Sequence, residues 1–303
     1  MKARVCILTT VHPPFDTRIF HKQAKTLVHA GYDVTLIAQW SKDETVDGVK
    51  IVALPRPRNR LSRIFGLTWR AFRLALREKA DIYHFHDPEL LLIGVLLKLF
   101  TRARVIYDVH EDLPKQLLNK HWIPRYLRPI TAWCAKFAEM VGARVVDRIV
   151  VATPAIARHF YKPKIVLVQN FPILGELVEA DTILYSKRPH VAVYVGSISM
   201  QRGLEEMVRA IGLLPAEAGA RLLLAGSFSP PELEKDVQQL TGWKRVDYLG
   251  WQSREEIKKV LSQARVGLVT LHPTTNYVES YPVKMFEYMA AGIPVVASDF
   301  PLW

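Results

Sequence analysis

Short apolar segments rich in β-branched residues alternate with longer segments of helical periodicity along the whole chain of 303 residues. Twelve strand-like segments can be counted, from RVCILTT at residues 4–10 to IPVVAS at residues 293–298. Nearly continuous apolar strands separated by helices are typical of parallel sheets that are covered on both faces. We therefore predict an α/β fold. An eightfold barrel is the competing arrangement, but twelve strands and a break in the series argue against it.

The break lies near residues 171–189, where no strand pattern is present. We place a linker at residues 173–189 and predict a Rossmann-like, doubly wound domain on each side, at residues 1–172 and 190–303. Such sheets bind ligands at the carboxyl ends of their strands, so we expect the site in the cleft that the two domains face. The sequence finishes at Trp303, directly after a strand-like segment that no helix follows. We expect from this that the second domain is incomplete and that the chain is C-terminally truncated.

Charge is distributed unevenly between the two halves. The net charge is +12, and residues 1–150 carry 25 Lys and Arg against 14 Asp and Glu, whereas the remainder is nearly balanced. The excess is concentrated in the arginines between Arg56 and Arg77. A solvated helix face and an anionic membrane surface are both compatible with this pattern. Nucleic acid is disfavoured, because no aromatic-interleaved basic motif accompanies the charge.

The cysteine content and the hydropathy indicate the cellular compartment of the chain. Cys6 and Cys134 are its two cysteines, without metal-ligand spacing, which favours a reducing cytoplasm over a disulfide framework. The first apolar run is shorter than a signal-peptide core, and the most apolar stretch, residues 90–97, is shorter than a membrane span. We expect a cytoplasmic protein, or one held at the inner face of the membrane.

The residues best suited to chemistry lie near the C-terminal end, in ESYPVKMFE at residues 279–287. Ser280 suits a helix N-cap, Pro282 the first helical position and Gly292 the helix end. Lys284 then falls in the first turn, where its charge opposes the helix dipole, and an external anion would explain it. Two histidines, His84 and His86, allow a metal site at a strand end, but the further ligands of a hydrolase pattern are missing.

This segment, together with the YMAAGIPVVAS that follows it, resembles the signature of the retaining glycosyltransferases of group 1 (family 4), which have the GT-B fold. The resemblance implies that Glu279 contacts the donor sugar as a catalytic residue and that Glu287 binds the ribose hydroxyls. It also implies that Ser280 and the backbone of residues 281–283 meet the sugar and phosphate, with Tyr281, Pro282 and Val283 as the residues concerned.

Two further segments resemble the same family in the same order. In YVGSISMQRGLEEMVRAI, residues 194–211, the family places two basic residues on the donor diphosphate after a glycine. Here Gly196 is that glycine, Ser197 stands at the first basic position and Arg202 at the second, so Lys284 is expected to compensate. In YDVHEDLP, His110 matches the active-site histidine of the family. The glycine pair of its first loop is replaced by HPPFDTR at residues 12–18.

The hypothesis is therefore a hexosyltransferase that moves a sugar from a nucleoside diphosphate sugar to a hydroxyl acceptor, a glycan or a lipid-linked one, with retention of configuration. We expect no metal and no cofactor, since cations and helix amides can stabilise the departing diphosphate. A sugar-nucleotide epimerase of the same fold and an inactive nucleotide-sugar-binding fragment remain alternatives. A nucleic-acid-binding protein is a third, supported by the basic half alone.

Overall fold

The computed structural model describes residues 2–118, 123–179 and 183–303. The chain forms two compact units, Met1–Asn170 and Phe171–Trp303. The predicted linker groups with the second unit as far as it is described, and Leu177 is buried in an apolar cluster there. The division therefore falls two residues before the predicted boundary at residue 172.

The first unit is built on an eight-stranded sheet. Its strands are β1 (Arg4–Leu8), β2 (Asp33–Gln39), β3 (Glu44–Val46), β4 (Val49–Leu54), β5 (Ile82–Phe85), β6 (Arg104–Val109), β7 (Arg148–Val151) and β8 (Ile165–Leu167). They are ordered β3-β4-β2-β1-β5-β6-β7-β8, and all neighbours are parallel except β3 and β4. Strand β3 was not predicted. It pairs with β4 through a tight turn in which Asp47 and Gly48 both have positive φ, and Asp-Gly is a sequence signal for such a hairpin.

Helices cover both faces of this sheet. They are a π-helical turn at Thr17–Ala24 that continues into α1 (Lys25–His29), a second at Ser62–Leu67 that continues into α2 (Thr68–Glu78), then α3 (Leu91–Phe100), α4 (Leu113–Leu118), α5 (Arg128–Val145) and α6 (Pro154–Ala157). Short 3-10 turns lie at Pro88–Leu90 and Lys162–Lys164. The first helix begins at Asp16, whose carboxylate accepts hydrogen bonds from the amides of Arg18 and Ile19.

The second unit has a five-stranded, all-parallel sheet. Its strands are β9 (Val191–Val195), β10 (Arg221–Ala225), β11 (Val246–Gly250), β12 (Val266–Val269) and β13 (Val295–Ala297), in the order β11-β10-β9-β12-β13. Its helices are α7 (Leu204–Leu213), α8 (Leu233–Val237), α9 (Arg254–Gln263), α10 (Thr275–Val278) and α11 (Val283–Ala290). Short 3-10 turns lie at Tyr185–Lys187, Met200–Arg202, Ala216–Ala218 and Thr241–Arg245. All twelve predicted segments contain a strand, and the predicted α/β class with two parallel-sheet units is confirmed.

Each sheet reverses its direction of winding once. In the first unit the chain runs from β1 outwards to β2 and β4 and then returns to β5 on the other side of β1. In the second it runs from β9 to β10 and β11 and returns to β12 on the other side of β9. Such a point is the topological switch point of the sheet, and a crevice opens there at the carboxyl ends of the strands. The loops after β1 and β5, and those after β9 and β12, are therefore the first places to look for ligand-binding residues.

Candidate functional site

The loop that follows β9 opens space at the switch point of the second unit. Gly196 has φ +126°, which strongly favours glycine, and a Cβ added there would lie 3.3 Å from the Lys284 amine. Gly203, at the start of α7, has φ +74°, and a Cβ there would collide with the Thr270 carbonyl oxygen. The Thr270 hydroxyl also donates to the Arg202 carbonyl at 3.2 Å. The predicted phosphate-binding loop is thus fixed against the strand end across the switch point.

Lys284 is the residue that most clearly indicates a ligand. It is the second residue of α11, as the sequence predicted for the first turn, and 9% of its surface is exposed. Its Nζ has no hydrogen-bond partner and lies 3.7 Å from the centroid of the Tyr194 ring. Burial, reinforced by the charge of Arg202, holds the pKa of Lys284 well below its usual value, although Glu287 opposes the shift. A buried amine without a partner marks a place where an anion would be stabilised.

The start of α11 differs by one residue from the prediction. Pro282 occupies the N-cap position rather than the first helical position, and Val283 begins the helix. Ser280 does not cap it, because its hydroxyl donates to the Tyr277 carbonyl at 3.3 Å. Proline carries no side-chain oxygen to cap a helix, so the first amides of α11 keep the ability to bind an anion.

The two glutamates of the motif have different surroundings. Glu279 is exposed and directly follows α10. Glu287 is partly buried inside α11, and its Oε1 accepts a hydrogen bond from the Arg254 guanidinium at 2.7 Å. Arg254 also bonds both carboxylate oxygens of Glu176 at 3.0 Å. The sequence analysis missed Arg254, since its pairing depends on α9 and α11 lying close together in the fold.

Of the two loop positions where the family resemblance implies a basic residue, one carries a cation in this chain. Arg202 ends the 3-10 turn before Gly203, and its guanidinium carbon lies 5.8 Å from the centroid of the Tyr277 ring. Ser197 is exposed, and its carbonyl accepts a hydrogen bond from the Tyr194 hydroxyl at 2.7 Å. Burial raises the pKa of Tyr194 to about 12, so this hydroxyl stays protonated.

The switch point of the first unit carries a buried polar cluster. Asp87 follows β5, and its Oδ2 accepts hydrogen bonds from the hydroxyls of Thr9 and Thr10 after β1. Asp108 in β6 is fully buried, and the Arg18 guanidinium contacts both of its oxygens at 3.1 Å. Burial alone would raise the pKa of Asp108, but its contacts with His110 and His84, with Arg18 adding to them, hold that pKa well below the usual range.

His110, the predicted active-site histidine, belongs to this cluster. Its Nδ1 lies 3.5 Å from Asp108 Oδ1, and its Nε2 lies 3.3 Å from Nε2 of His12. Burial disfavours the charged imidazole, but the Asp108 carboxylate outweighs it and raises the pKa of His110. His12 was not singled out from the sequence. The strand order could have suggested it, because the loop after β1 lies at the switch point.

The two histidines considered for a metal meet the same aspartate. His84, His86 and Asp108 are buried, with ligand atoms all within 4.8 Å of one another. The Arg18 guanidinium already contacts both oxygens of Asp108, so a second cation at this carboxylate would be repelled. Burial lowers the pKa of His86 well below its usual value. We assign this group to a buried ion-pair cluster around Arg18 and Asp108.

A cavity of about 120 Å³ opens beside the cluster. Its lining comes from β6 and from the loops after β1, β5 and β6, and it includes three imidazoles: Val11, His12, His86, Asp87, Pro88, Tyr107, Val109, His110 and Glu111. Among the helices that the structure describes, none is long and apolar enough to span a membrane.

Comparisons with known families match both units. A family described as glycosyl transferase 4-like domain matches residues 17–169, and one described as glycosyl transferases group 1 matches residues 189–302. An uncharacterized glycosyltransferase of Methanocaldococcus jannaschii, MJ1607, is 30% identical, and the match covers 91% of this chain and 74% of that protein. A putative colanic acid biosynthesis glycosyltransferase of Escherichia coli, WcaL, is 24% identical over 73% of this chain and 53% of its own length.

Solved structures show the same fold. A sucrose-phosphate synthase of Thermosynechococcus elongatus superposes with a TM-score of 0.76 at 20% identity, covering 98% of this chain and 81% of that one. WaaG, a glycosyltransferase of lipopolysaccharide biosynthesis, superposes with a TM-score of 0.71 at 14% identity, covering 98% and 81%. Anabaena HepE, solved in complex with UDP-glucose, superposes with a TM-score of 0.69 at 13% identity, covering 97% and 80%.

Proposed function

The chain belongs to the group 1 glycosyltransferases, and we propose that it transfers a hexose from a nucleoside diphosphate sugar to a hydroxyl acceptor with retention of configuration. The observation that carries this proposal is the Lys284 amine, which is buried beside Gly196 without a hydrogen-bond partner. A nucleoside diphosphate sugar supplies the anion that this amine lacks, and HepE of Anabaena, which has the same fold, was solved with such a compound.

The departing diphosphate is the group that needs stabilising. It gains negative charge as the glycosidic bond breaks, and cations and amide dipoles already in place stabilise that charge without reorganising. In this chain Lys284, Arg202 and the first amides of α11 would supply them. Because these groups can supply the positive charge that a divalent metal would otherwise provide, we propose a reaction that uses neither metal nor cofactor. The acceptor oxygen then bonds to the anomeric carbon on the face from which the diphosphate leaves, and its proton passes to the departing phosphate oxygen, which retains the configuration.

The donor sugar and ribose would contact the carboxylates of the motif. We propose that Glu279 contacts the sugar together with Ser280, Tyr281 and the backbone at Pro282 and Val283. Glu287 would accept hydrogen bonds from the ribose hydroxyls. Its Oε1 is engaged by Arg254, so the carboxylate is held in one orientation before the nucleotide arrives. In the first unit His110 would contact the transferred sugar.

One surface of the first unit supports the proposal of a lipid-linked acceptor. The outer face of α5 exposes a stripe of large apolar side chains, with Ile130 58%, Trp133 66% and Phe137 52% exposed. Met140 and Val141 extend the stripe along the helix. The one acidic residue within 128–145, Glu139, is buried, whereas Lys136 and Arg144 are exposed. A helix face that is apolar and cationic is suited to an interface with anionic lipid.

The positive charge on this face of α5 favours an anionic membrane over a second copy of the chain as its binding partner. A second copy of the chain would bring the same positive face against the first, and like charges repel, whereas anionic headgroups attract it. The arginines between Arg56 and Arg77 belong to the same unit and add to its net positive charge. We propose that the first unit attaches to an anionic membrane surface, which suits a lipid-linked acceptor.

The test of the function begins with the donor. UDP-, GDP- and ADP-sugars are screened by thermal shift against the chain and against Lys284→Met, with Lys244→Met at an exposed surface position as the matched control. At least one sugar nucleotide should raise the melting temperature of the chain and of the control, but not of Lys284→Met. Product analysis with that donor then separates the alternatives. An epimerised donor formed without acceptor would establish the epimerase, and binding without turnover would establish an inactive fragment.

A further inference from the structure

The first loop of the first unit brings a second histidine to the predicted active-site histidine. His12 follows β1 and His110 follows β6, yet their Nε2 atoms lie 3.3 Å apart. The ring centroids are 5.2 Å apart and the rings are tilted by 57°, so the contact is made by the nitrogen edges and not by stacking. The two residues are 98 positions apart in the sequence, and the parallel strand order brings their loops to one edge of the sheet.

Two facing imidazole nitrogens can form a hydrogen bond when one proton lies between them. One Nε2 must carry the proton and the other must present its lone pair, since two protonated nitrogens would repel. Asp108 lies 3.5 Å from Nδ1 of His110, which favours a proton on that nitrogen. When His110 is charged, its Nε2–H therefore donates to the Nε2 lone pair of His12.

Carboxylates, a guanidinium and two further imidazoles lie near the pair. On the acidic side Asp87 lies 3.6 Å from Nε2 of His12 and Asp16 lies 3.8 Å from its Nδ1, while Asp108 and Glu111 face His110. On the basic side the groups are Arg18, His84 and His86. The two carboxylates nearest to the rings, Asp87 and Asp108, are buried and hold one imidazole each. The Asp108 carboxylate offsets the cost of burying a positive charge on His110.

The cavity of about 120 Å³ gives the pair access to a ligand. Both rings line it, with Asp87 and His86 beside them. Its volume corresponds to about four water molecules at ~30 Å³ each, which suits the hydroxyl-bearing end of a sugar. A hydroxyl that enters the cavity can accept from the Nε2–H of charged His110 beside the Nε2 of His12, so His12 keeps that N–H directed before the ligand arrives.

We infer that His12 and His110 together form the hydroxyl-binding site of the first unit, with His12 as the positioning residue that fixes the proton on His110. The inference rests on the proposed sugar transfer. It assigns a role to the loop of residues 12–18, which replaces the family's glycines. The ligand class is a sugar hydroxyl.

The experiment measures the pair directly and then the reaction. The imidazole of His110 is titrated by NMR in chain labelled at histidine, without ligand, in the unmodified chain, His12→Phe and His12→Gln. His29→Gln, an exposed histidine of the same unit, is the matched control. His12→Phe removes the acceptor of the His110 Nε2–H, so the pKa of His110 should fall by about one unit, the scale of a lost hydrogen bond to a charged group. His12→Gln should restore part of it.

The pH dependence of kcat/KM for sugar transfer is then recorded for the same variants. Since the Nε2–H of charged His110 is the group that His12 holds in place, the basic limb should move to lower pH in His12→Phe and partly return in His12→Gln, while His29→Gln leaves it in place. An unchanged titration of His110 in His12→Phe overturns the pair. A changed titration with an unchanged pH profile overturns its role in binding the hydroxyl. Absence of transfer by the unmodified chain refutes the proposed function itself, a result that the ligand-free titration keeps separate from the other two.

Discussion

Replacing Lys284 by methionine should make the second unit more stable and its nucleotide affinity lower. Methionine keeps the unbranched stem that packs against Tyr194 and removes the amine. A buried polar group without a hydrogen bond costs about 1–3 kcal/mol. Because the Lys284 Nζ is such a group, its removal should raise the free energy of unfolding by about this amount. For a unit of this size that corresponds to a rise in Tm on the order of 3–10 °C.

The sign of the pH dependence follows from the same burial. The pKa of Lys284 in the folded chain lies below its usual value of 10.5, so the unfolded chain binds more protons between these two pKa values. The stability of the unmodified chain should therefore rise with pH across that interval and be lowest below it. Lys284→Met loses this rise, so its advantage should be largest below the folded pKa and should shrink, as the pH approaches 10.5, to what the uncharged amine without a hydrogen bond still costs.

Binding should change in the opposite direction. The loss of a charge-assisted hydrogen bond to phosphate costs about 1.5–3 kcal/mol, which weakens the affinity about 10- to 150-fold. Calorimetric titration with UDP, GDP and ADP, and chemical unfolding with and without the best of them, measure both effects, with Lys244→Met as the control. A variant that is less stable than the unmodified chain and binds the nucleotide equally well would refute the assignment of Lys284 as an unsatisfied anion site.

Three further outcomes are expected. Glu287→Ala should weaken nucleotide affinity by about 1.5–3 kcal/mol and Glu287→Gln by less; unchanged calorimetric affinity would remove the ribose assignment. Exchanging Trp133 and Phe137 together for glutamine should reduce co-sedimentation with anionic vesicles, and added salt should release the unmodified chain from these vesicles. Trp251→Gln, at an exposed tryptophan of the other unit, should leave co-sedimentation unchanged. Equal partitioning onto neutral and anionic vesicles would contradict the lipid proposal, and loss of a dimer in the double variant would favour a second copy. Burial raises the pKa of Glu139 to about 7 despite the hydrogen bond from Tyr107, so its contribution to stability should be present below about pH 4.5 and lost as pH rises through 7, a change of up to about 3 kcal/mol; in Glu139→Gln, unfolding curves should lose that dependence, and an unaltered slope would show that another group titrates.

The sequence predicted the strands well because parallel strands covered on both faces are apolar along their length. The local pattern therefore contains the signal, and all twelve predicted segments contain a strand. The missed strand, β3, is three residues long and lies at the sheet edge, where only its pairing with β4 defines it. The helix start at Val283 was displaced by one residue, since Pro282 is accepted at the N-cap as well as at the first helical position.

The side-chain pairs of the site were not predictable in the same way. Arg254 meets Glu287 at a sequence distance of 33, and His12 meets His110 at 98. No local periodicity carries such information, because the contacts depend on which strands are neighbours. The switch-point rule gives part of it: once β1 is placed beside β5 and β9 beside β12, the loops after β1 and β9 are the ones that lie at a crevice.

The geometry at Gly196 suggests how this chain manages with Ser197 where the family resemblance has a basic residue. The Ser197 position is exposed, so a cation there would approach the diphosphate from the solvent side. Lys284 is instead buried, with its amine between the Tyr194 ring and the Gly196 loop. A desolvated cation interacts more strongly with phosphate than an exposed one, because less solvent screens the pair. Its cost appears in the ligand-free chain as a lowered pKa and an unsatisfied amine. Moving the positive charge from Ser197 to Lys284 would thus exchange stability of the empty site for affinity of the occupied one.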